Sequence, residues 1–537
     1  MSSIRSAALV MLLAACPGSS PSPGSSTGPR SPLPGRASDK PKLVVLLVLD
    51  QWPEWAFEQK RPHLTKGFRR LLSEGDWHVG QYPSGANLTA PGHALLGTGE
   101  PPASSGILAN EWFHRTLNKT LHSVEDETGA VTSKWLRVPA LGDAVKAANT
   151  GGKAVAVSLK DRASVLPLGH AGTGIWYDRA SLSWVANAPT TWLTAHNAAH
   201  PIAKHLDDVW TPLDAGRLAT LSGTTDAQPG EVGDMGHGPT FPHALAKTRS
   251  PAEALYATPI GAHLVFETAL AAMEGEALGK DASADLLVVS ISPHDYIGHG
   301  WGHESWEMWD LTLRLDDEID RFLDQLDKRV GVGEWALLAT SDHGASPLPE
   351  RMPNGGRISY AQIKDAANRA ASAELGPGEW IAHARYPTVY VTDALLAQPA
   401  KERDKALKKI VFALRSFPGI ARVERTADFA GHCETRTGDA FLLCLTLDPE
   451  RSGEVLWMPA PGWITMSETN ATAHGSLNAY DRLVPVIMLP PGRTAHAPHT
   501  KASDTTIQMI RVATVLAGWL GVPSPTTLQK TWTPPSP

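Results

Sequence analysis

Cysteine is scarce in this chain of 537 residues: three cannot build a disulfide framework, so the fold has to rest on an apolar core. Charge is also sparse, at 19% of residues, and aromatics make up 7%, against 42% hydrophobic residues. That balance excludes disorder over most of the length. No excess of positive charge exists. Lys and Arg total 48 against 55 Asp and Glu, and a net charge of -7 excludes a sequence-wide attraction to nucleic acid or anionic lipid. Beyond the N-terminus no run of 18 apolar residues suggests a membrane span, and no repeat period is visible. What the chain does have is 21 histidines, so His and carboxylate chemistry is the place to look.

Residues 1–16, MSSIRSAALVMLLAAC, carry one positive charge at Arg5 and an apolar run from Ala7 to Ala15. The run is about half of the ~20 residues that cross a bilayer, which reads as a signal peptide over 1–15 and not as a span. Leu13, Ala14, Ala15 and Cys16 resemble the lipobox of bacterial lipoproteins, which implies a lipidated Cys16, a membrane anchor there, and a periplasmic or outer-membrane-associated protein. From Cys16 to 41 the sequence is almost entirely Pro, Gly, Ser and charge, the composition of a disordered tether. A catalytic domain is expected over 42–520, with an insert around 345–465 and a Pro-rich tail over 521–537. In an exported protein Cys433 and Cys444, 11 residues apart, sit where a disulfide is permitted; the spacing allows the bond without requiring it.

Three short apolar runs, Leu43 to Asp50, Leu286 to Ser292 and Trp335 to Gly344, have the near-continuous character of strands buried on both faces of a parallel sheet. Between them lie helical patterns such as Ser305 to Arg329, with apolar residues at three- and four-residue steps. The chain is therefore of the α/β class. Such sheets bind ligands outside the carboxyl ends of their strands. Asp50 closes the first run, Asp295 follows the second, and Asp342 and His343 follow the third.

Those residues, with His299 and His474, form a donor set suited to two divalent ions. Asp295 and His299 are four apart, on one side of a helical turn, but so are His299 and His303, and spacing does not choose between the pairs. Adjacent Asp342 and His343 point apart in an extended backbone, which suits two neighbouring ions better than one. Lys160 and Arg162, two apart at the end of an apolar run, would share one face of a strand, with Asp161 on the other.

In order, an Asp at a strand end, TAPGH, LKDR, DYIGH, SDHG and AHGS resemble the alkaline phosphatase superfamily, specifically the PafA-like bacterial alkaline phosphatases, over nearly all of 42–518. The resemblance implies an alkaline-phosphatase-like core: a mostly parallel central sheet with helices on both faces and inserted cap elements. It implies two Zn2+ ions, one held by Asp50, Asp342, His343 and the nucleophile Thr89, the other by Asp295, His299 and His474. This places Asp342 and His343 on one ion, and it leaves His303 at the surface or behind the ligands. Asn110, Lys160 and Arg162 would bind the non-bridging oxygens of a phosphate monoester, and hydrolysis would pass through a phosphothreonine. The Pro91-Gly92 turn after Thr89 could open a helix whose amides favour an anion.

A sulfatase would need Cys or Ser where Thr89 stands, with Arg four residues after it where His93 stands. A phosphodiesterase or nucleotide pyrophosphatase shares the metal ligands and the threonine, but Lys160 and Arg162 suit a group with two negative charges. A lipoprotein that only binds phosphorylated ligands or metal is the alternative from a different class.

Overall fold

The structure is a computed structural model that describes residues 40–466 and 470–526. The expected leader, Cys16, all but the last two residues of the tether and residues 527–537 of the tail lie outside the described residues.

A nine-stranded sheet carries the fold. In chain order its strands are β1 (Leu43–Leu49), β2 (Asp76–Gln81), β3 (Ala154–Ser158), β4 (Thr173–Asp178), β5 (Ser183–Ala186), β6 (Asp285–Ile291), β7 (Trp335–Thr340), β8 (Leu483–Leu489) and β9 (Ser503–Gln508). They lie in the order β9-β2-β8-β7-β1-β6-β3-β4-β5. The central run β7-β1-β6-β3-β4 is parallel, while β8 and β5 run against their neighbours.

All seven side chains of β1 are buried, and their alternation shows why the strand reads as one apolar run. Leu43, Val45, Leu47 and Leu49 enter a core under the helices Pro259–Gly275 and Trp306–Arg329. Val44, Leu46 and Val48 enter a second core with the helices Leu141–Ala148 and Val512–Leu520. With helices on both faces, neither face of the strand needs a polar residue. The long helix expected from Ser305 begins at Trp306, because the Ser305 hydroxyl accepts the Met308 N–H as its N-cap.

The segment expected as an insert has a core of its own. Strands Ile381–Arg385, Thr388–Val391, Val455–Pro459 and Ile420–Arg425 form a four-stranded antiparallel sheet, covered by helices Tyr360–Leu375 and Ala400–Arg415. Cys433 and Cys444 are joined by a disulfide beside the helix Gly438–Thr446. Among the described residues no helix is long and apolar enough to cross a membrane.

Candidate metal centre

One edge of the sheet collects the polar groups, and the register explains how. β1 pairs in parallel with β6 and β7, Leu49 opposite Ile291 and Val48 opposite Thr340, so the residues that follow these strands emerge side by side. Asp50 comes from β1, Asp342 and His343 come from β7, and Asp295 sits in the first turn of the helix Pro293–Trp301 that follows β6. Because β8 is antiparallel, the loop before it, bearing His474, reaches the same edge. β2 runs against β8 and so ends there too, leading to Thr89.

The site resolves into two triads, with the ligating atoms of each within 4.8 Å of one another: Asp50, Asp342 and His343, all buried, and buried Asp295 with half-buried His299 and His474. His343 Nε2 lies 3.4 Å from Asp50 Oδ1 and 3.4 Å from Asp342 Oδ2. In the second triad His299 Nε2 and His474 Nε2 lie 3.2 and 3.4 Å from Asp295 Oδ1. The triads touch through the His343 and His474 rings, stacked with centroids 3.6 Å apart. Asp342 and His343 therefore serve one triad. The spacing argument for two failed because the chain after Thr340 is a loop and not an extended strand.

Each histidine is oriented from behind. Nδ1 of His299, His474 and His343 donates to the carbonyls of Thr472 (2.8 Å), Asn87 (2.7 Å) and Gly344 (3.0 Å). A carbonyl only accepts, so the proton stays on Nδ1 and the Nε2 lone pair faces the carboxylates. Lone pairs aimed at carboxylates suit a cation between them. Asp50 Oδ1, Asp342 Oδ2 and His343 Nε2 are buried without any hydrogen-bond partner. Three carboxylates here meet one ammonium: Lys160 Nζ is 2.6 Å from Asp50 Oδ2 and 2.5 Å from Asp295 Oδ2.

The electrostatics follow from that crowding. Burial, then the charge of Asp342, pushes the Asp50 carboxyl well above the usual range. Burial acts the same way on Asp295 but is outweighed by Lys160 and His299, which hold it well below. Burial likewise opposes the Lys160 cation and is outweighed by Asp295 and Asp50, so the ammonium is held charged. His343 is pushed down to about 3, chiefly by burial. The donor set fits divalent cations, whose charge would offset the excess of acid.

Thr89 opens the helix Thr89–Thr98, one residue after its N-cap Leu88, so the helix starts two residues before the Pro91-Gly92 turn. Its Oγ1 is 3.4 Å from Lys160 Nζ. Asn110 accepts the Ala90 N–H through Oδ1 at 2.8 Å, so it sits at the mouth of this helix. Lys160 and Arg162 do not share a strand face. β3 ends at Ser158, Lys160 caps the short helix Asp161–Val165, and Arg162 lies in its first turn. Lys160 turns into the triads, while Arg162 has Asp161 as its ion-pair neighbour at 3.9 Å and a buried Nε without a partner.

Two contributors, His93 and Gln51, escaped the sequence reading. His93 donates from Nδ1 to the Thr89 carbonyl at 2.9 Å and lies 3.1 Å from Asp342 Oδ2, tying the Thr89 turn to a triad. Its place in TAPGH was the available signal. Gln51 links both triads, and His303, 1% exposed, backs Gln51 and not the surface.

Residues 44–481 match the family described as type I phosphodiesterase / nucleotide pyrophosphatase, and the chain belongs to it. Within that family it is a PafA-like alkaline phosphatase, a hydrolase of phosphate monoesters. Alkaline phosphatase PafA of Elizabethkingia meningoseptica is 29% identical over 490 residues, 84% of this chain and 87% of the relative. Alkaline phosphatase PhoK of Sphingomonas sp is 30% identical over 485 residues, 84% of each chain. The crystal structure of wild-type PafA superposes with a TM-score of 0.80 at 25% identity, covering 94% of this chain and 99% of that one.

Proposed function

We propose that this phosphomonoesterase works with two zinc ions, one in each triad, and a covalent phosphothreonine at Thr89. The observation that carries the reading is Lys160 Nζ, which touches Asp50, Asp295 and the Thr89 hydroxyl together, so Thr89 stands over the boundary between the two acid-and-histidine triads. Bound there, zinc would supply the charge that lowers the pKa of a hydroxyl and steadies a departing alkoxide. Thr89 Oγ would attack phosphorus in line, forming the Oγ–P bond as the bond to the leaving alcohol breaks, and the alcohol would depart with a proton. Water would then cleave the Oγ–P bond to give phosphate and restore Thr89.

Asn110, with Oδ1 engaged by Ala90, would offer its amide N–H to a phosphoryl oxygen, and Lys160 and Arg162 would offer positive charge. A solved variant of PafA carries substitutions at a threonine, an asparagine, a lysine and an arginine, the same four residue types. The exported, lipid-anchored location read from the leader and Cys16 is part of the same proposal: an enzyme outside the cytoplasm frees phosphate from whatever monoesters reach it.

The test is Thr89→Ala. Turnover of a nitrophenyl phosphate should fall by at least 10³ while metal analysis still finds two equivalents of zinc, because six protein ligands remain. Acid quench of the wild type during turnover should give a +80 Da peptide containing Thr89. Wild-type turnover in the variant would remove the assignment.

A further inference from the structure

Gln51 combines three features. It is fully buried, its φ of 59° lies in the left-handed region, and it is hydrogen-bonded to one acid of each triad. Its backbone N–H donates to Asp342 Oδ1 at 3.2 Å, and its side-chain Nε2 donates to Asp295 Oδ1 at 2.7 Å. It follows Asp50 directly in the chain, so a single residue is joined to all three carboxylates. A left-handed conformation is strained for any residue that carries a Cβ. Strain of this kind persists where the surroundings fix it, and it clusters at functional sites.

The far end of the side chain is fixed too. Gln51 Oε1 accepts from His303 Nε2 at 2.8 Å, and the Lys60 ammonium donates to the His303 carbonyl. The carboxamide therefore cannot flip: its oxygen faces a donor and its nitrogen faces a carboxylate. Space for the pair comes from Gly298, on the helix between Asp295 and His299, where a Cβ would lie 1.9 Å from Gln51 Oε1. A glycine on the ligand-bearing helix thus admits the side chain that holds the ligand.

We infer that Gln51, locked by His303, is a positioning residue that aims Asp295 and sets the separation of the two metal sites. The inference rests on the two-zinc reading. Its selectivity follows from which contact is side chain and which is backbone. Removing the side chain deletes the bond to Asp295 and leaves the backbone bond to Asp342, so the Asp295–His299–His474 site should weaken alone. Partners behind metal ligands are typically worth 10- to 100-fold in affinity.

The experiment measures zinc stoichiometry and affinity in the full chain, by competition with a chromophoric chelator, for wild type, Gln51→Ala, Gln51→Gly and His303→Ala. Wild type should show two sites. Gln51→Ala should show one site of wild-type affinity and one weakened 10- to 100-fold. Gln51→Gly should show the same loss although it relieves the left-handed strain, which separates the carboxamide from the backbone and provides a second variant if the alanine form folds poorly. His303→Ala should weaken the same site by a smaller factor. Two unaltered sites in both Gln51 variants, or parallel loss from both sites, would overturn the inference. Fewer than two sites in the wild type would overturn the two-zinc reading, a failure visible before any variant is compared.

Discussion

Lys160 is the residue whose role changes most between sequence and structure. As a strand neighbour of Arg162 it would be one of two equivalent cations, yet its ammonium is inserted between Asp50 and Asp295 while Arg162 stays outside those contacts. A monoester brings one more negative charge to phosphorus than a diester, so removing positive charge should penalise the monoester more. Each charge-assisted hydrogen bond contributes about 1.5–3 kcal/mol, and losing both should slow monoester hydrolysis by roughly 10² to 10⁴. The measurement is kcat/KM for a nitrophenyl phosphate and a matched diester in wild type and in Lys160→Ala with Arg162→Ala. Equal losses on both substrates would make the pair a general support and not a selector of monoesters. At this scale the acids and histidines of the two triads were legible because their strands read as apolar runs and the motifs stood at the ends. Gln51 was not legible, since its partners lie 244 and 291 residues away and its backbone conformation leaves no mark on composition.

Among the elements, the Thr89–Thr98 helix depends most on close approach. It is buried along its whole length, and a Cβ at Gly92 would lie 2.2 Å from the Asp342 carbonyl oxygen. The glycine lets the Thr89 turn and the loop after β7 meet, and His93 spans the contact, bonded to the Thr89 carbonyl and 3.1 Å from Asp342 Oδ2. Gly92→Ala should push the two apart. Overpacking of this kind costs about 1–3 kcal/mol in stability, and a displacement near 1 Å at the reacting groups should cost about 10²-fold in rate. Urea unfolding and kcat/KM on one preparation check both figures, and an alanine variant with unchanged rate would show that the contact does not place Thr89. The boundaries of such elements were the part the sequence left open. The step from β3 to the Lys160 cap looks like strand continuation, because nothing but the three-dimensional position of Asp50 and Asp295 turns the lysine inward.

Across the whole molecule, the second sheet and its disulfide are joined to the metal centre by hydrogen bonds that can be followed atom by atom. The helix after Cys433 offers Thr446 Oγ1 to the Gly85 N–H at 2.8 Å. Two residues on, the Asn87 carbonyl accepts from His474 Nδ1, and the Asn87 amide donates to the Ser84 and Ser476 carbonyls at 2.9 and 2.6 Å. The loop that delivers Thr89 is therefore pinned from the disulfide side and in turn orients His474 of the second triad. A disulfide of this kind stabilises by about 2–4 kcal/mol, so reduction alone should lower Tm. The network predicts more: coupling is reciprocal, so reduction should weaken zinc binding and zinc removal should make the bond easier to reduce. A chelator titration of oxidised protein against reduced and alkylated protein checks the first half, and thiol release with and without zinc checks the second. Two-site affinities unchanged by reduction would confine the disulfide to global stability. A fall at the His474 site, with the Asp50 site unaffected, would show that the second sheet holds half of the metal centre in place.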